Sequence, residues 1–267
     1  MIARRLVLDR LRGLRWWALG SALGVAFTVA LYPSVRDQEQ FEDIVRDLPR
    51  GFRGILGQTD IIPITSAPGY FQARLFATLL PILLVVYAIS LGGRAIGGAE
   101  EDGTLQLVAT APVSRRRIAL ERLAASTGLV VALAALALAV TLALSLAIDV
   151  YDEVPAGRIA LATVAITELA LLHLGVAFAA GAVTGRRVPT LAAGSVLAVG
   201  GFLLHGLAAS AEAVEPVRIL SPWWWALDRN LLVHDPTFLA VGLPLVIAAL
   251  AVVAGVLAYE RRDLRFP

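Results

Sequence analysis

One carboxylate, Glu168, interrupts an otherwise uncharged run from Ile159 to Gly185 that also holds His173, and a second histidine, His205, stands in the next apolar stretch. In hydrocarbon a charged carboxylate costs a few kcal/mol or more, so Glu168 must be neutral, paired or turned towards a cavity. It reads either as a pathway residue able to carry a proton or as a hydrogen-bonded packing residue. His173 follows five positions later, about 140° further around a helix, so the two are not expected to pair. A lone histidine such as His205 is more often a packing group than a ligand. One carboxylate and scattered histidines do not make a metal site. Serine and aspartate lie mainly in the outer loops, so no catalytic triad has supporting context, and no catalytic residue is assigned. A second cluster, Glu100-Glu101-Asp102-Gly103-Thr104, lies between apolar runs and suits contact with another protein. All 23 basic residues are arginine, and cysteine is absent. A phosphate-binding loop of the G-x-x-x-x-G-K-[ST] type needs a lysine. Nucleotide chemistry of that kind must therefore come from another chain.

The elements that position these residues follow from composition. The chain is 58% hydrophobic and only 16% charged, against about 45–50% and about 25% for soluble domains. A lipid solvent is implied. A spanning helix needs roughly 20 mostly apolar residues. Six windows qualify: Trp16–Val35, Leu75–Gly93, Leu123–Ile148, Ile159–Gly185, Val188–Ala211 and Pro236–Tyr259. None alternates with period two as a barrel strand would. The expected fold is an all-α membrane protein, one transmembrane domain over residues 1–267, with an outer loop at 36–74 and an inner loop at 94–122. Gly194, Gly200, Gly201 and Gly206, with Ala124, Ala125 and Gly128, would permit close helix contact.

Arginine placement sets the orientation. One side would carry Arg4, Arg5, Arg10, Arg12 and Arg15, Arg94, Arg115–Arg117 and Arg122, Arg186 and Arg187, and Arg261, Arg262 and Arg265. The other carries most of the acids. The positive-inside rule then puts both termini in the cytoplasm. The first apolar run is too long for a signal-peptide core, and Arg4-Arg5 reads as topology charge.

Three segments outside the spans stand out. Phe41, Ile44, Val45 and Leu48 mark one face of an amphipathic helix in the outer loop, ended by Pro49, Gly51, Gly54 and Gly57. Trp223, Trp224 and Trp225 are expected to anchor at the headgroup interface. In the inner loop, Glu100, Glu101 and Asp102 suit a helix N-terminus. Leu105, Val108 and Ala109 recur on one face, Pro112 stops the helix, and Ser114 can cap the next one.

This inner loop carries a resemblance. Glu-Glu-x-Gly-Thr-Leu-x-Leu followed by Ala-Pro-Val-Ser-Arg (Glu100–Arg115) is similar to the cytoplasmic loop after the second helix of ABC type-2 transporter permeases. Ala67–Phe71, Pro81, Leu220–Trp225 and Tyr259–Leu264 extend the likeness along the whole chain. The resemblance implies a coupling helix docking on a separate ATP-binding subunit through Glu100, Glu101, Gly103, Thr104, Leu105, Leu107, Pro112 and Arg115. It implies two permease units, alike or unlike, and two ATPases that hold ATP and magnesium, in a prokaryotic plasma membrane, with no cofactor in this chain and no nucleic-acid partner. Export of a drug, an antibiotic or a lipid would fit. Glu168, His173 and His205 are the candidate residues of a substrate pathway. The rival readings are a proton-coupled secondary transporter using Glu168, and a membrane-embedded enzyme. No internal repeat supports a secondary transporter, and no catalytic cluster supports an enzyme.

Overall fold

The computed structural model describes residues 2–36, 62–104, 114–208 and 214–262. Among them there is no strand, and six helical stretches are long and apolar enough to cross a membrane. These spans are Gly13–Val35, Ala67–Glu101, Arg115–Ala147, Ala156–Thr184, Arg187–Ala208 and Leu243–Arg261. The expected amphipathic outer helix around Phe41–Leu48 and the inner-loop residues Leu105–Pro112 lie outside the described residues.

The fourth span is the hub. It packs on the second, third, fifth and sixth spans, while the first span lies mainly against the third. Accordingly 67% of the apolar window is buried in the second and fourth spans, against 22% in the first and 28% in the fifth and sixth. Close packing rests on small residues. A Cβ at Gly92 would come within 2.7 Å of Ala177, and one at Gly255 within 2.8 Å of the Ala179 backbone. Of the small residues expected to serve this purpose, Gly194 meets Ile89 and Gly201 meets Trp223, whereas Gly128 and Gly200 meet nothing within 4 Å. Composition marks a glycine as small but does not say which face of its helix is covered.

The third span begins at Arg115, ahead of its apolar window, and the second and sixth also begin elsewhere than their windows suggest. The second starts at Ala67, inside the stretch expected to be outer loop at 36–74. Ser66 caps it by accepting the Gly69 N–H at 3.3 Å. Phe71–Leu79 then winds as a π-helix. The Leu80 N–H reaches back to the Leu75 carbonyl, and the Thr78 hydroxyl donates to the Ala73 carbonyl at 2.8 Å. Ordinary α-helix resumes at Leu80, with Pro81 next to the change of winding, where it has no N–H to donate to the preceding turn. The sixth span begins at Leu243 and not at Pro236. Residues 238–242 form turns, and the Gly242 N–H at their end is satisfied by a buried side chain from the fourth span.

The connections gather at two ends. At one end Glu153 accepts the Ala67 N–H at 2.9 Å and faces the Tyr32 hydroxyl at 3.4 Å. Arg158 pairs with Asp235 at 2.9 Å, and the Tyr70 hydroxyl donates to the Thr28 carbonyl. The rings of Tyr32, Tyr70 and Phe71 pack together there. The Trp triplet belongs to this end, in the short helix Pro222–Leu227. Its three rings have different surroundings. Trp223 is buried against Phe202 and Gly201. Trp224 stacks under the Arg218 guanidinium, and Trp225 donates to the Ile219 carbonyl at 2.7 Å. Successive helical residues point about 100° apart, so three consecutive rings cannot face one surface.

Candidate functional site: the turn after the second span

The opposite end, rich in arginine, holds the inner-loop cluster. After Ala95 the chain breaks at Ile96 and makes one short helix, Gly97–Glu101. Its base is made of residues with little or no side chain, and it sits directly on backbone. A Cβ at Gly97 would lie 2.6 Å from the Arg186 carbonyl oxygen. Ile96 and Ala99 join a buried cluster with Ala95, Ile118, Ala119, Phe178, Ala182, Val256 and Tyr259. The turn is thus seated on the spans that meet beneath it.

Its far side is open. Glu101, Asp102 and Thr104 are exposed. Gly103 closes the turn with φ +68°, a conformation that any side chain would strain. Its N–H donates to the Glu100 carbonyl at 3.1 Å, and the Thr104 hydroxyl donates to the Ala99 carbonyl at 3.1 Å.

Glu100 and Glu101, adjacent in the motif, have opposite surroundings. Glu100 is buried and forms an ion pair with Arg262, beyond the last turn of the sixth span. Arg115 Nη1 donates to the Arg262 carbonyl at 2.5 Å, and buried Arg122 donates to the Ala95 carbonyl at 3.0 Å. Tyr259 is buried within electrostatic reach of Glu100, Arg115, Arg122 and Arg262. Ser114 caps the third span by accepting the Arg117 N–H at 3.3 Å, as the sequence pattern suggests. Arg262 is the member that motif reading missed. A basic residue at the end of the last span reads as topology charge until the fold brings it to Glu100.

The intramembrane candidates are placed apart. Glu168 is buried, and its Oε2 accepts the Gly242 N–H at 2.7 Å. Gly242 is the residue just before the sixth span. Helix N-termini leave N–H groups unsatisfied, and acceptors there are stabilising. Glu168 therefore closes the start of the sixth span from within the fourth. His173 is fully buried, with Nδ1 2.7 Å from the Leu169 carbonyl of its own helix. The Glu168 bond goes to Gly242 and the His173 bond to Leu169, in line with their angular separation. His205 is buried in the fifth span.

The sequence matches the family described as ABC-2 family transporter protein over residues 1–264. The chain belongs to that family. It is a multi-pass membrane permease subunit of an ABC transporter, a system that works with an ATPase partner. No curated protein and no solved structure gave a match.

Proposed function

We propose that this permease is the membrane half of an ATP-driven exporter, with both termini in the cytoplasm of a prokaryotic cell. The segment from Glu100 to Arg115 serves as its coupling element. One observation carries the reading: within a family that works with ATPases, this turn has a buried base and an exposed acidic edge at the arginine-rich end. Glu101, Gly103 and Thr104 form the edge offered to the ATPase, and the family resemblance extends the docking role to Leu105, Leu107 and Pro112. Glu100 and Arg115 act behind it as its seat.

Two permease copies, or one copy and an unlike partner, would stand over two ATPases. ATP and magnesium reside on those subunits. ATP-driven approach of the ATPases moves the coupling elements, and the spans exchange inward-open for outward-open arrangements. Any such coupling requires that the turn bind the two ATPase states with different free energy. The apolar spans suit an amphiphilic cargo such as a drug, an antibiotic or a lipid.

The test is co-purification in detergent with the ATPase encoded beside this chain. Stable association that Glu101→Ala/Gly103→Pro abolishes, with the permease still folded, supports the coupling role. Association that survives the double change sinks it. Proton coupling through Glu168 is the rival. The helix-capping bond from Gly242 offers Glu168 a structural occupation instead.

A further inference from the structure

We propose that the Glu100–Arg262 pair is a positioning latch, making the coupling turn and the end of the sixth span one mechanical unit. The inference rests on the coupling reading above and adds the route by which displacement of the turn enters the bundle.

Stability is a poor explanation for this pair. Its carboxylate side chain is 7% exposed and its guanidinium side chain 17%. Burying two charges costs several kcal/mol per ion unless the remaining donors and acceptors are also satisfied. They are not: Nε and Nη1 of Arg262 are buried with no hydrogen-bond partner among the described residues. An apolar pair would fill the same space at lower cost. Fixed placement is what an ion pair of this kind provides.

The surroundings are shaped around it. The fourth span ends at Gly185, with φ +65°. A Cβ at Gly185 would lie 2.2 Å from Arg262 Nη1 and 2.8 Å from the Glu100 carboxylate. The left-handed glycine thus ends the helix and leaves room for the pair. Arg115, which opens the third span, holds the Arg262 carbonyl. Coupling turn, third span and sixth span therefore meet at one residue.

The sixth span is held at its other end too, by the Gly242–Glu168 bond. Between the two ends it lies on the fourth span, where a Cβ at Gly175 would meet the Ala248 backbone at 3.0 Å and one at Gly255 would meet Ala179. A displacement of the turn would pull Arg262, and the sixth and fourth spans would follow together.

The chain has no cysteine, so spin labels can be placed at will. Asp102→Cys and Arg261→Cys are both exposed, one on each side of the latch. Their dipolar distance would be read in lipid nanodiscs, for the permease alone and for its complex with the ATPase under ADP and under ATP with vanadate. A latch gives one narrow distribution, unchanged between nucleotide states. Arg262→Ala should broaden it, and the exchange Glu100→Arg/Arg262→Glu should narrow it again, a rescue that a space-filling role would not show. Should Arg262→Ala fail to fold, Arg262→Lys keeps the charge without the planar fork and should broaden the distribution as well. A distance that shifts between nucleotide states in the unaltered latch, or stays narrow in the Arg262 variants, overturns the proposal. If no ATPase binds the unaltered permease, the coupling reading fails and the transmission role fails with it. The distribution in the permease alone then reports separately whether the two elements are joined.

Discussion

Glu100 and Glu168 are both buried carboxylates, and the protein compensates them differently. Glu100 has a full counter-charge in Arg262, at the end of the bundle where arginines cluster. Glu168 lies within a span and accepts one backbone N–H, from Gly242. The first joins segments far apart in sequence through opposite charges. The second extends one helix with an acceptor that another helix supplies. Burial alone would have grouped them as functional acids. Their partners separate a mechanical joint from a helix cap.

The largest expected effect breaks the first member of this comparison. Arg262→Ala takes the ion-pair partner from a buried carboxylate, a change that costs up to about 3–5 kcal/mol. A fall in the thermal unfolding midpoint of the purified permease would register it. The double change Glu100→Ala/Arg262→Ala should lose less than the single one, because no charge is then stranded. Equal losses would mean that Glu100 never depended on Arg262.

Glu168 comes next. Glu168→Ala strands the Gly242 N–H and should cost about 1–3 kcal/mol. Glu168→Gln keeps an oxygen acceptor and should lose much less. Transport and ATP turnover should survive Glu168→Gln in complexes of matched stability. Abolished transport in a well-folded Glu168→Gln protein would restore the proton-coupled reading and end the contrast.

A neutral bond supplies the scale. Trp225→Phe removes the donor to the Ile219 carbonyl and should cost about 1 kcal/mol by the same unfolding assay. Should Glu168→Ala cost no more than this, the intramembrane carboxylate is only an ordinary hydrogen-bonding group.

The smallest effect on stability belongs to Glu101→Ala. Glu101 is exposed, and surface changes usually stay within about 0.5 kcal/mol. Its effect should appear instead as lost ATPase association in co-purification. The neighbouring Glu100→Ala should show the opposite balance, losing stability before association.

Six apolar windows of spanning length were legible in the chain, because lipid forces each crossing segment to satisfy its own backbone and to avoid charge. The family was legible too, in the Glu-Glu-x-Gly-Thr-Leu segment and the motifs around it. The ends of the spans were not. Ser66 extends the second span back to Ala67 by a capping bond, and Glu168 lets the sixth begin at Leu243. Neither event changes the hydropathy of the residues involved.

Sequence by itself determined that this chain lives in a membrane, that it crosses six times, and which family it belongs to. These follow from local composition and from a contiguous motif. Tertiary structure decided which of two adjacent glutamates is offered outward, that Trp223 is buried while Trp224 and Trp225 lie at the margin, and that Arg262 pairs with Glu100 in the turn after the second span. Each of those depends on helix rotation and on contacts between residues far apart in the chain. Glu100 and Arg262 are 162 positions apart, and the chain between them carries no local signal of the distance that folding closes.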